Sequence, residues 1–278
     1  MKIAALQLVS TPSVERNLAA AGRLIAEAAA AGAELVALPE YFCLMGERDS
    51  DKLHIAEAPC AADQSPADDA PIQHWLAGMA REYGVWVHGG TLPLRCADDP
   101  TRVLNSSLVF APDGLLAARY DKIHLFCFDN GREQYDEGRA IRAGSAPVAF
   151  TAGDVRIGLS VCYDLRFPEL YRALMAPACD LIAVPSAFTH TTGLAHWELL
   201  LRARAVENQC YVIAPAQGGH HENGRRTFGH SMVVDPWGEV IDVLPEGEGV
   251  VLAEIDPARL ASVRRQLPAL AHRRGDVF

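Results

Sequence analysis

The sequence predicts an α/β protein built as a four-layer α-β-β-α sandwich. Three observations lead there. Apolar runs bounded by Gly and Pro alternate with amphipathic segments. The order strand, helix, strand, helix, strand, hairpin occurs twice. Residues also match between the two copies: LVALPEYF (35–42) is like LIAVPSAF (181–188), and SLVFAPDGLL (107–116) is like SMVVDPWGEV (231–240). Each half then supplies one sheet with helices outside, and the two sheets bury their inner faces against each other. No stretch is long and polar enough for a linker, so residues 1–278 are expected to form one domain with an internal pseudo-two-fold.

The elements follow in order. Ile3–Val9 alternates as a strand. Ser13 is placed to cap a helix running to about Ala31, where Gly32 stops it. Glu34–Pro39 is a continuous apolar run, as in a strand covered on both faces. Residues 41–69 read as irregular, Pro71–Tyr83 as a helix and Val85–Leu92 as a strand. Ser107–Phe110 and Leu115–Tyr120 flank the turn Pro112-Asp113-Gly114. In the second half Val155–Val161 is a strand and Pro168–Ala176 a helix, Pro168 suiting a first helical turn. Leu181–Pro185, Gly193–Asn208 and Cys210–Ala216 read as strand, helix and strand. Met232–Val234 and Val240–Val243 flank Pro236-Trp237-Gly238. The stretch 257–278, with Arg264, Arg265, Arg273 and Arg274, reads as a C-terminal arm, packed on a partner subunit or left as a solvated tail.

Composition narrows the class. Half the residues are hydrophobic and 22% are charged, as in a soluble globular protein with a large core. A net charge of −10 argues against nucleic acid and anionic membranes as partners. No apolar run approaches a membrane span, and the N-terminus enters a strand without a signal-peptide pattern. Seven cysteines, odd in number and without a CxxC, favour reduced thiols in the cytoplasm over disulfides or a structural zinc. The histidines 190, 196, 220, 221 and 230 lack zincin spacing, so no metal and no cofactor is expected.

Chemistry gathers at strand ends in such sheets. Cys162 ends the strand RIGLSV on a turn into a helix, where free backbone N–H groups and a helix N-terminus favour a thiolate and an oxyanion. Glu40 ends ELVALP, and Lys122 follows LLAARY. The position matching Glu40 in the other half is Ser186, so the repeat keeps a carboxylate on one side only. A Glu there is costly to bury unless paired. It serves either as one half of a Glu–Lys pair or as a base beside a nucleophile.

The segments ALPEYF, YDKIHLF and GLSVCYDLRFPE resemble, in order and spacing, the three signature segments of the nitrilase (carbon–nitrogen hydrolase) superfamily, and the resemblance runs from Lys2 to about Arg274. It implies the nitrilase-type fold and places the catalytic Glu, Lys and Cys on Glu40, Lys122 and Cys162. A second Glu of the family falls on Glu137 in QYDEG, with Glu133 and Asp136 as rivals. The segments DLRFPELYRAL, VPSAFT and AHWELLLRARAVENQ look like the branch of amidases acting on α-keto-acid amides, deaminated-glutathione amidase and ω-amidase, and more like the former. The implied reaction is metabolite repair, hydrolysing N-(4-oxoglutarate)-L-cysteinylglycine to 2-oxoglutarate and cysteinylglycine through a Cys thioester.

For such a small-molecule amide substrate, the backbone N–H of Tyr163 is expected at the oxyanion. Arg166 is expected to grip a carboxylate through its planar fork unless it pairs with Asp164 or Glu169. Phe188 and Thr192 would line the acyl pocket. The loop Gln217–Arg226 would close over the site or reach the peptide-like end of the substrate. The stripe Trp197, Leu200, Leu201 and Val206 belongs to the core or to the interface of a homodimer or larger homo-oligomer. Other nitrilase-family amidases or carbamoylases, and a silent binding protein of the same fold, are the alternatives.

Overall fold

The computed structural model describes residues 1–274 and Val277. In the first half, strand β1 (Lys2–Gln7) leads to helix α1 (Val14–Ala30), whose first turn is capped by Ser13 Oγ accepting the Arg16 N–H at 3.3 Å. Strand β2 (Leu35–Ala37), the short helix α2 (Asp51–His54) and helix α3 (Pro71–Tyr83) follow. Next come β3 (Trp86–His88), β4 (Leu92–Cys96), β5 (Asp99–Phe110) and β6 (Leu116–Asp121). The expected strand Val85–Leu92 is thus broken after His88. The break lies at Gly90 (φ +52°), where a Cβ would sit 2.0 Å from the Pro39 carbonyl oxygen. That close approach lies directly behind Glu40.

A small hairpin of β7 (Cys127–Asp129) and β8 (Gln134–Asp136) and the short β9 (Ile141–Arg142) connect the halves. The second half comprises β10 (Val148–Ala152), β11 (Val155–Leu159), α4 (Pro168–Ala173), β12 (Leu181–Ala183), α5 (His190–Asn208), β13 (Tyr211–Ala214), β14 (Ser231–Val234) and β15 (Val240–Leu244). Helix α5 starts three residues before its expected Gly193, because the Thr189 hydroxyl caps it. The chain ends with β16 (Gly249–Glu254) and α6 (Pro257–Gln266).

The repeat holds strand by strand. β1, β2 and β3 are parallel neighbours, as are β11, β12 and β13. β5 and β14 then join antiparallel and each continues into a hairpin. β16, which the sequence did not suggest, runs antiparallel beside β1, as β10 does beside β11.

Period-two alternation builds the layers. Ile3 and Ala5 of β1 face inward and share one core cluster with Ile157, Leu181, Ala183 and Ile213 of the second sheet. Ala4 and Leu6 face outward onto Leu24 and Ile25 of α1 and Leu76 and Ala80 of α3. On the far side, Tyr171 of α4 and Trp197, Leu201 and Ala205 of α5 cover the second sheet. The molecule is the expected α-β-β-α sandwich.

Helix α6 packs on its own chain. Leu260 and Val263 are buried, and Arg264 binds Asp180 Oδ1 at 3.1 Å and the Cys179 carbonyl at 2.6 Å. Of the arm 257–278, Gly275, Asp276 and Phe278 lie outside the described residues. Among the described residues no helix is long and apolar enough to cross a membrane.

Candidate active site

Three strand ends converge. Glu40 is 1% exposed, and each of its oxygens is held. Oε1 accepts from Lys122 Nζ and from Asn105 Nδ2, both at 2.9 Å, and Oε2 accepts the Ala187 N–H at 3.0 Å. Lys122 is fully buried and also donates to Glu137 Oε2 at 2.7 Å. Burial by itself disfavours the ammonium, but Glu137 and Glu40 outweigh it and hold the Lys122 pKa above its ordinary value. The side chain is a fixed positive charge between two carboxylates.

Of the three candidate acids in FCFDNGREQYDEG, Glu137 is the one at Lys122. Its Oε2 also accepts the Phe126 N–H at 2.7 Å, and its Oε1 accepts the Tyr41 hydroxyl at 2.6 Å. Burial pushes its pKa up, but the Lys122 charge and these donors bring it below the usual carboxylate value. Glu133 faces away to Thr191, and Asp136 caps the following turn.

Cys162 is the first residue of a 3-10 turn, Cys162–Arg166, and has φ +47°. A β-carbon in that left-handed region costs about 1–2 kcal/mol, which the surroundings must offset. They do so through Asp164, which is wholly buried. Its Oδ2 accepts the Val161 N–H at 2.8 Å and the Tyr120 hydroxyl at 2.7 Å. Its Oδ1 accepts the His124 N–H at 3.0 Å and lies 2.7 Å from His124 Nδ1. One carboxylate therefore ties the Cys162 turn to both flanks of Lys122. The Tyr163 N–H, at the second position of the turn, has no acceptor among the described residues.

The resting thiol differs from the expectation of a favoured thiolate. Burial first, and the Glu40 charge second, push the Cys162 pKa well above that of a free thiol, with Lys122 opposing. The helix that follows is only six residues long. Its dipole is too small to reverse the loss of water around the sulfur. Both causes disfavour the thiolate, which leaves a role for a nearby base.

Above the thiol is a pocket lined by all four expected substrate-binding residues, Tyr163, Arg166, Phe188 and Thr192. Arg166 forms no salt bridge among the described residues, so neither Asp164 nor Glu169 holds it. It lies 3.1 Å from His196 Nδ1, with its guanidinium 5.3 Å from the Phe188 ring centre. The Thr192 hydroxyl is 2.8 Å from Thr189 Oγ1, within the cap of α5. The loop Gln217–Arg226 is pinned rather than a free lid. Gln217 Nε2 donates to the Glu40 carbonyl at 3.1 Å, and His221 is wedged between the Ser10 carbonyl and Thr227 Oγ1, each at 2.8 Å. One residue of that loop, Arg225, lines the pocket.

Sequence reasoning missed Tyr41, Asn105 and the Ala187 N–H. Only Asn105 left a signal, as an amide within the strand-like run VLNSSLVF.

Residues 2–265 match the model of the carbon-nitrogen hydrolase family. The chain belongs to that family. This carbon–nitrogen hydrolase is 42% identical over 273 residues to a deaminated glutathione amidase of Synechocystis sp., covering 97% of each chain. Its fold matches the NitFhit protein of C. elegans with a TM-score of 0.90 at 38% identity. That match covers all of this chain and 66% of the longer fusion protein. Saccharomyces cerevisiae Nit3, a member of branch 10 of the nitrilase superfamily, matches with a TM-score of 0.87 at 29% identity, covering 99% of this chain and 96% of that one.

Proposed function

We propose that this carbon–nitrogen hydrolase is an amidase that cleaves deaminated glutathione, N-(4-oxoglutarate)-L-cysteinylglycine, to 2-oxoglutarate and cysteinylglycine. The observation that carries the reading is the Cys162 thiol beside a buried Glu–Lys–Glu cluster, beneath a pocket with arginines that form no salt bridge among the described residues. The substrate brings carboxylates of its own. The name of the Synechocystis relative supports the same choice.

The proposed steps use the groups that the site brings together. Glu40 takes the Cys162 proton as the sulfur attacks the amide carbon, so no standing thiolate is required. Lys122 Nζ and the Tyr163 N–H receive the developing oxyanion; losing one such donor costs about 3 kcal/mol of barrier. Glu40 passes the proton to the departing amine nitrogen, the C–N bond breaks and a thioester remains. Water, deprotonated by Glu40, attacks the thioester carbon and releases the acid and the thiol. Glu137 keeps Lys122 charged and in place. Arg166 takes the α-keto carboxylate, with Phe188 and Thr192 forming the wall of the acyl pocket.

Residues 1–278 are read as one catalytic domain. The cytoplasm is proposed because all seven cysteines are free, as a reducing compartment leaves them. A homodimer or larger homo-oligomer is proposed because α5 exposes Leu194 and Leu199 beside Val243 of β15. Light scattering on the purified chain tests that assembly, and a monomer at micromolar concentration refutes it.

The test of function is a side-by-side rate comparison of deaminated glutathione, α-ketoglutaramate, simple nitriles and N-carbamoyl amino acids. The highest kcat/KM is expected on deaminated glutathione. A preference for α-ketoglutaramate makes the enzyme an ω-amidase instead.

A further inference from the structure

The cavity directly over Cys162 has a volume of only about 20 Å³. A second cavity of about 300 Å³ adjoins it, and Arg166 is not among its walls. The two share Tyr41 and Arg225 as common walls. The outer one is completed by Arg48, Gln134, Tyr135 and Asn223. Its volume is that of a small-ligand site.

Charge and polarity in the outer cavity point to an anionic, hydrogen-bonding ligand. Three cations face it, Arg48, Lys52 and Arg225, against two carboxylates, Glu47 and Asp49. Lys52 and Asp49 neutralise each other at 3.0 Å. Arg225 is half-buried and forms no salt bridge among the described residues. Its guanidinium stacks over the Tyr135 ring at 5.3 Å, and the Asn223 side chain accepts its backbone N–H at 3.0 Å. A half-buried guanidinium that meets Tyr135 and forms no salt bridge among the described residues suits a carboxylate through its planar fork.

We infer that the outer cavity is the leaving-group subsite, and that Arg225 binds the terminal carboxylate of a peptide-like amine released from the thioester. This rests on the reading of the chain as an amidase of an acyl-dipeptide. It adds that the enzyme selects on both sides of the scissile bond: Arg166 on the acyl side and Arg225 on the amine side. The pinned loop carrying Arg225 is then a fixed wall of the subsite, so recognition of the amine needs no closure.

The experiment compares two substrates with the same 4-oxoglutarate acyl group. One is the cysteinylglycine amide with a free terminal carboxylate, and the other has that carboxylate converted to a carboxamide. The wild type is expected to favour the first in kcat/KM by roughly 10- to 100-fold, the size of one charge-assisted contact. In Arg225→Gln that ratio falls to about 1, and Arg225→Lys restores part of it. A wild-type ratio near 1, or a ratio kept in Arg225→Gln, overturns the assignment. If the wild type cleaves neither peptide amide, the proposed function fails, and the subsite is then judged by calorimetry with cysteinylglycine and its carboxamide. Binding that is weakened by amidation and by Arg225→Gln upholds it. Binding indifferent to both changes, or no binding, removes it.

Discussion

The Tyr41 hydroxyl donates to Glu137 Oε1 at 2.6 Å, across 96 residues of chain. Tyr41 follows Glu40 directly, yet its side chain serves the other carboxylate of the cluster. Its backbone makes this possible: φ is +57°, and the residue turns away from the strand that Glu40 ends.

Removing this donor tests its place in the cluster. Tyr41→Phe keeps the ring and leaves Glu137 with Lys122 and the Phe126 N–H. One hydrogen bond to a charged group carries roughly a 10-fold effect. The expected result is a kcat/KM lower by about that factor, with an unchanged melting temperature marking a local effect. Full activity in a folded Tyr41→Phe would detach Tyr41 from the chemistry.

Glu40→Gln should move two readouts in opposite directions. Turnover is expected to fall by about 10³-fold or more, because the base is gone. The thiol, however, should ionise at lower pH, since the Glu40 charge is one of the causes that push its pKa up. Mass spectrometry of the alkylated Cys162 peptide as a function of pH reads the second effect. An unshifted profile would show that Glu40 does not hold the thiol neutral.

Asp164 is the buried link between the Cys162 turn and the Lys122 segment. Asp164→Ala strands the Val161 and His124 N–H groups and the Tyr120 hydroxyl. Leaving buried donors unpaired costs about 1–3 kcal/mol each, so a loss on the order of 3 kcal/mol or more in a urea titration is expected. Activity should fall beyond what stability explains, because the Cys162 turn and the Lys122 segment lose their common tie. A variant as stable as the wild type would contradict this.

His88 gives the fold a pH dependence of its own. It is 1% exposed, with Nδ1 unpartnered, and burial lowers its pKa to about 4 from 6.5. The unfolded chain therefore takes up a proton at higher pH than the folded one. The contribution is fully present above pH 6.5 and is lost as pH falls towards 4. Its full span is about 3 kcal/mol. Urea midpoints should drop between pH 6.5 and 4.5, and the drop should be smaller in His88→Gln. Equal slopes in the two proteins would assign the acid sensitivity elsewhere.

The sequence by itself determined the architecture and singled out the three side chains that the fold brings together. Strand and helix periods, the Pro and Gly breakers and the repeated order are written within a few residues of each element. Glu40, Lys122 and Cys162 each stand at a strand end that such local patterns locate. It did not disclose β16, whose partner β1 lies at the other end of the chain. Only the tertiary structure decided that Glu137, rather than Glu133 or Asp136, meets Lys122. It also supplied Tyr41, Asn105 and the Ala187 N–H, and the burial that disfavours the Cys162 thiolate. These depend on partners up to 147 residues apart and on how much water burial removes. Such terms arise when distant segments pack, and no local pattern of residues encodes them.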